Sequence, residues 1–65
     1  SKAFNKNLLA PAEKRVYSCV RLESRHIDDI CFETGISVSE MTQILYELEQ
    51  KRLIKQLVRN YYVRA

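Results

Sequence analysis

The sequence is poor in the glycines that build cofactor loops and has no long apolar run. It has one glycine, one proline and no tryptophan among 65 residues. A phosphate-cradling loop needs several glycines, so nucleotide-binding loops of that kind are excluded. No apolar run approaches the roughly 18 residues that a membrane helix needs, and the amino end has no apolar stretch typical of a signal peptide. We therefore expect a cytoplasmic protein with no membrane partner and no small-molecule substrate.

Cysteine is also scarce. Cys19 and Cys31 lie among apolar residues at helix-like spacing, so we expect free thiols that pack as small hydrophobes. With His26 they are the only soft metal ligands, whereas a structural zinc site needs four. Ser24, His26 and Asp28 are the residue types of a hydrolase triad. They lie on one extended stretch, however, where side chains point alternately to opposite sides, so we do not expect them to act together. The sequence predicts no metal site, no cofactor and no catalytic residue.

The length and composition predict one small folded domain. A chain of 65 residues buries only about 60% of its unfolded surface, which leaves room for a single core. The chain is 46% hydrophobic and 29% charged, as is ordinary for a globular protein. We expect a loose leader over residues 1–8 and the domain over residues 9–65. Because there is no initiating methionine, we expect a piece of a longer protein.

Capping signals and apolar periodicity predict three helices. The first is expected over about residues 11–21, and Asp28 is expected to cap a short second helix that Gly35 ends. A Ser-x-x-Glu capping box at Ser37 starts a third helix that continues to about residue 50. The apolar residues of the third helix recur at helical spacing and are expected to face the core; they are Val38, Met41, Ile44, Leu45 and Leu48.

The residue pattern changes from helical to strand-like after the third helix. Residues 53–58 and 61–64 are rich in β-formers and are separated by Arg59 and Asn60, where Asn tolerates a left-handed turn conformation. Residues 25–27 are expected to pair with them as a short third strand. The predicted fold class is therefore mainly α with a small β-hairpin: a winged helix-turn-helix with three helices and a two- to three-stranded antiparallel wing.

Several short motifs resemble the carboxy-terminal winged-helix domain of the DNA-processing protein A family (DprA/Smf). They are His26-Ile27-Asp28-Asp29-Ile30, Thr34-Gly35-Ile36-Ser37, Leu45 with Leu48-Glu49, Leu53-Ile54 and Tyr62-Val63-Arg64. The resemblance extends from about Leu9 to Arg64. It implies a bacterial protein of natural transformation that protects incoming single-stranded DNA and helps to load a recombinase. It also implies that a Rossmann-like domain of the parent protein does most of the single-strand binding, with the winged helix as an accessory.

Two positions depart from the family pattern. Arg52 stands where the family usually has a glycine before the first wing strand, and Val58-Arg59-Asn60 replaces a glycine-rich wing tip. We expect a shorter or stiffer wing as a result.

Charge is distributed unevenly along the chain. Residues 1–26 carry six basic and two acidic side chains, residues 27–50 carry six acidic and no basic ones, and residues 51–65 carry five basic and no acidic ones. The basic carboxyl end, with its interleaved tyrosines, favours a phosphate-binding and base-stacking surface. A solvated hairpin whose cations protect an edge strand is the open alternative.

The third helix is a poor candidate for reading a DNA groove. Its outward positions should be Ser39, Glu40, Thr42, Gln43, Tyr46, Glu47 and Gln50. Gln43 has the right chemistry to read adenine, but two glutamates on this face would repel phosphates.

Three interpretations of function follow. The first is a DNA-binding accessory domain that makes weak, largely sequence-independent contacts. The predicted DNA-contacting residues are Lys51, Arg52, Lys55, Arg59, Asn60 and Arg64 in the wing, with Gln43 and Tyr46. The second is a protein-interaction module that docks a basic partner, a sister protomer or the Rossmann-like domain on the acidic residues Asp29, Glu33, Glu40 and Glu47. The third is the DNA-reading domain of a transcription regulator.

Overall fold

The computed structural model describes residues 9–65, which form three helices and a small antiparallel sheet. In chain order the elements are α1 (Pro11–Cys19), β1 (Arg25–His26), α2 (Ile27–Thr34), α3 (Val38–Gln50), β2 (Ile54–Val58) and β3 (Tyr61–Arg64). The strand order is β1-β3-β2, and both pairs are antiparallel. This is the predicted winged helix-turn-helix, with a three-stranded wing. The predicted leader of residues 1–8 lies outside the described residues.

One apolar core joins the three helices to the inner face of the sheet. Its fully buried side chains are Val16, Val20, Ile30, Met41, Leu45, Leu48 and Ile54. The predicted apolar face of α3 is thus confirmed from Met41 onward, but the prediction for Val38 is wrong, since its side chain is 53% exposed. Val38 is the first residue of α3, and helical side chains point back toward the helix amino end, which places it over the turn.

Two predicted helix boundaries are corrected by the structure. The first helix ends at Cys19 and not at residue 21, because Val20 is extended. The second helix begins at Ile27, and its N-cap is His26 and not Asp28. The imidazole Nδ1 of His26 accepts the Asp28 backbone N–H at 3.0 Å, so the ring does the work expected of the Asp28 carboxylate.

The turn between α2 and α3 follows the sequence signals. Gly35 caps α2 in the left-handed conformation, with φ of 75°, which glycine adopts at little cost. The Ser37 hydroxyl accepts the Glu40 backbone N–H at 3.2 Å, as expected for the start of α3. The buried Thr34 hydroxyl donates to the Ile30 carbonyl and accepts the Ile36 N–H, which fixes the chain between the two helices.

The hairpin departs from regular pairing at one place. Gln56 pairs with Tyr62 and Val58 pairs with Tyr61, so Leu57 is the extra residue of a β-bulge. Asn60 adopts the predicted left-handed conformation, with φ of 72°.

Both cysteines are free thiols, as predicted. Burial raises the pKa of Cys19 and that of the partly buried Cys31, and a raised pKa disfavours the reactive thiolate.

Candidate nucleic-acid interface

The three-stranded sheet has one face on the core and one face outward. Cross-strand partners project to the same face, so the pairs Lys55–Val63, Val58–Tyr61 and His26–Tyr61 define the outer face, on which Val63 itself is covered and only 7% exposed. The rings of His26 and Tyr61 meet edge to face, with centroids 5.0 Å apart. Sequence reasoning missed this contact, because it depends on the register of β1 against β3. The outer face therefore combines a cation, an exposed aromatic ring and apolar surface.

Lys51 does not belong to this face, because it is bound to Glu13. Its ammonium group lies 2.9 Å from both carboxylate oxygens of Glu13, which also accepts the Ala10 backbone N–H at 3.0 Å. The Lys51 hydrogen bond lowers the pKa of Glu13 below its usual 4.5, even though burial acts in the opposite direction. Lys51 thus joins the carboxyl end of α3 to the first turn of α1.

Arg64 is likewise engaged inside the domain. Its guanidinium donates to the Val20 carbonyl at 2.7 Å and to the Tyr17 carbonyl at 3.1 Å, and lies 4.2 Å from the centroid of the Tyr17 ring. Carbonyls at a helix carboxyl end have no intrahelical partner and carry partial negative charge. Arg64 satisfies them and ties β3 to the end of α1.

The basic side chains that remain without a partner are concentrated in the wing. Within residues 9–65, Arg15 is bonded to the Thr34 carbonyl, and Arg21 and Arg25 pair with Glu33 at 3.6 and 2.7 Å. Among the same residues, the basic side chains with no hydrogen bond or ion pair are Lys14, Arg52, Lys55 and Arg59. Three of these four lie between residues 52 and 59 and are exposed.

The outward face of α3 is exposed at every position that the sequence predicts. It carries no lysine or arginine between residues 38 and 50. The Gln43 side-chain amide donates to the Glu47 carboxylate at 3.0 Å, so the predicted adenine reader is held by an acidic neighbour. Tyr46 is exposed on the same helix.

A comparison with known protein families agrees with the winged-helix fold. The family model described as the DprA winged helix domain matches residues 2–58. The chain belongs to the DprA winged helix domain family. The comparisons find no matching curated protein and no matching solved structure. Membership of this family indicates an accessory domain of a DNA-processing protein. Domains of this family are generally non-catalytic.

One position of this DprA winged helix domain has a backbone conformation that is unusual for its residue type. Arg52 has φ of 63° between α3 and β2, which is a left-handed conformation that favours glycine. The backbone here thus adopts a conformation typical of glycine, but the residue carries an exposed arginine side chain in place of the second Cα hydrogen of glycine.

The four acidic residues of the predicted protein-interaction face have different local surroundings in the DprA winged helix domain. Glu33 is paired with Arg25, which lowers the pKa of that carboxyl. Glu47 lines a groove with Glu13 and Lys51 at the other end of α3 from Glu40. Asp29 is exposed in the first turn of α2.

Within residues 9–65, no three histidine, cysteine or acidic side chains are grouped so as to hold a metal ion. None of the helices in that range is long and apolar enough to cross a membrane.

Proposed function

We propose that this DprA winged helix domain is a non-catalytic accessory module that binds DNA weakly, and largely independently of sequence, through its wing. The observation that carries the proposal is the set of unpaired, exposed cations Arg52, Lys55 and Arg59 in one short segment. Phosphate contacts by Lys and Arg supply most of non-specific DNA affinity. Asn60 lies in the turn beside Arg59, where its side chain adds a polar contact to the DNA backbone.

Lys51 and Arg64 have a different part in this proposal. Both are committed to internal partners, so we assign them to holding the wing in place and not to the primary phosphate contacts. Tyr61 is exposed on the outer face, where it pairs with Val58, and offers a ring for base stacking.

The acidic outward face of α3 argues against the transcription-regulator alternative. A reading helix must approach phosphates on both sides of the major groove, and Glu40 and Glu47 carry the wrong sign for that approach. Gln43 and Tyr46 are left as secondary contacts.

In the parent protein we propose that the domain assists natural transformation and recombination in the cytoplasm. It would act beside a Rossmann-like domain or a recombinase that handles the same DNA. The family membership supports this setting.

The test is a fluorescence anisotropy titration of labelled single- and double-stranded oligonucleotides at two salt concentrations. Lys55→Glu and Lys14→Glu change the net charge equally, and both lysines are unpaired. We expect Lys55→Glu to weaken binding at least about tenfold at low salt and Lys14→Glu to weaken it about twofold at most. Equal effects of the two variants, or no binding at low salt, would contradict the proposal.

A further inference from the structure

An apolar surface lies at the turn between α2 and α3. Phe32 is 92% exposed, and it lines one open groove with Asp28, Ile36 and Val38. We call these four residues the corner surface. A ring this exposed beside other apolar side chains is the kind of patch that marks an interaction site. The sequence pattern did not reveal it, because Phe32 follows the buried Ile30 in a short apolar run.

The corner surface is acidic at its Asp28 end, whereas the Arg15 guanidinium binds the Thr34 carbonyl next to Gly35. Asp28 lines the groove, and the exposed Asp29 beside it has no ion-pair partner among the described residues. No lysine or arginine occurs between residues 27 and 50. An occupant of the groove must therefore bring apolar side chains flanked by positive charge.

The wing of this same chain has that chemistry. Leu57 and Val58 are 55% and 62% exposed, which is unusual for consecutive apolar residues at the end of a strand. The unpaired cations Lys55 and Arg59 flank them. We call these four residues the wing surface. It is complementary to the corner surface in both apolar character and charge.

One backbone contact joins the segments next to the two surfaces, since Ile27 precedes Asp28 and Asn60 follows Arg59. The Ile27 N–H, at the start of α2, donates to the Asn60 carbonyl in the wing turn at 2.8 Å. The wing of a molecule leaves its own corner exposed, since Phe32 and Val38 are open to solvent. Two copies related by a two-fold axis can therefore each place a wing on the corner of the other, and such an arrangement closes at two molecules.

We propose that two copies of this domain form a weak symmetric dimer in which the wing surface of each lies on the corner surface of the other. Phe32 is the apolar anchor, and Asp28 and Asp29 attract Lys55 and Arg59 of the second copy. Because these two cations also belong to the proposed DNA contact, DNA and the second copy compete for the wing.

Sedimentation equilibrium of the 65-residue chain in the absence of DNA tests the dimer. The interface is small, so we expect a Kd of roughly 100 µM, and we expect the Kd to rise with salt. Phe32→Ser should raise the Kd at least about tenfold, as for a central aromatic anchor. Leu22→Ser is the matched control, because Leu22 is 82% exposed in the loop after α1 and belongs to neither surface.

A monomer at every concentration up to about 1 mM would overturn the proposal, since interfaces of this class associate in that range. Equal Kd values for Phe32→Ser and Leu22→Ser would overturn it too. Circular dichroism and a thermal melt confirm that both variants fold.

Anisotropy with DNA separates this proposal from the DNA-binding one. Phe32→Ser should weaken dimerisation at least about tenfold and leave DNA affinity within about twofold, whereas Lys55→Glu should weaken both. Loss of DNA binding in Phe32→Ser would assign the corner surface to DNA and contradict the dimer. A dimer that forms without any DNA binding would contradict only the proposed function.

Discussion

The ammonium group of Lys51 donates to both carboxylate oxygens of Glu13, at 2.9 Å to each. The contact joins residues 38 positions apart and lies between the amino end of α1 and the carboxyl end of α3. Glu13 is buried, so its charge needs this partner. A cation that the sequence assigns to DNA is thus used to hold two helices together.

This ion pair predicts how stability depends on pH. The pKa of Glu13 is lower in the folded state than its usual 4.5, chiefly because of the Lys51 hydrogen bond. Its stabilisation is therefore complete above about pH 5 and is lost as the pH falls through the folded-state pKa. Glu13→Gln should cost about 1–3 kcal/mol at neutral pH and should flatten the acid limb of a urea-unfolding series.

The exposed Glu23 supplies the control for that series. Glu23→Gln should stay within about 0.5 kcal/mol of the parent chain at neutral pH. If Glu13→Gln and the parent lost stability in parallel on acidification, the stabilising role of the Glu13–Lys51 pair would be wrong.

Arg64 should behave as a structural arginine. Arg64→Ala removes two hydrogen bonds to carbonyls of α1 and the contact with the Tyr17 ring, and we expect a loss of about 2 kcal/mol in the free energy of unfolding. Arg64→Lys keeps the charge but not the planar fork, so it should restore less than half of that loss. Arg59→Ala, which removes an unpaired cation, should leave urea denaturation unchanged. A lysine variant as stable as the parent would show that charge alone suffices.

Substitutions of Arg52 should change both the stability of the domain and its affinity for DNA. Its left-handed φ of 63° suits glycine better than arginine, so Arg52→Gly should raise stability by about 1 kcal/mol. The same change removes an exposed, unpaired guanidinium and should weaken DNA binding at least threefold. Arg52→Ala is the control, since it removes the charge without relieving the backbone. A glycine variant that is neither more stable nor weaker in binding would contradict both parts of this account.

The order of elements was predictable from the sequence because its local signals agree with the fold. Gly35, Ser37 and the apolar spacing of α3 each act over a few residues, and the structure places them as predicted, apart from the exposed Val38. The start of α2 was not predictable in the same way. Asp28 is the common capping residue, but His26 is held by pairing with Tyr61 of β3, so its ring lies within reach of the Asp28 N–H.

The composition of the candidate site was less predictable than the fold. Five cations between residues 51 and 65 look alike in sequence, but Lys51 and Arg64 are bound to groups 38 and 44 positions away. Such pairings depend on tertiary packing, which periodicity does not report. The exposure of Phe32 and Val38 also depends on how α2 and α3 cross.

Variants of Tyr61 distinguish base stacking from charge attraction as contributions to DNA binding. Its ring is exposed on the outer face of the sheet, next to His26. Tyr61→Ala should weaken binding of single-stranded DNA about tenfold, because base–aromatic stacking contributes about 1–3 kcal/mol per base. Tyr61→Phe keeps the ring and should bind like the parent, and double-stranded DNA should respond less to either change. An equal loss for the phenylalanine variant would assign the role to the hydroxyl instead.

The most direct test of the wing as the DNA-binding element is an NMR titration that follows each backbone amide as oligonucleotide is added. It is run with single- and double-stranded DNA at two salt concentrations, and starts from a dilute sample so that self-association does not contribute. The account predicts chemical-shift changes centred on residues 52–61 that diminish at the higher salt. Changes centred on the exposed face of α3, with the wing amides unmoved, would contradict it.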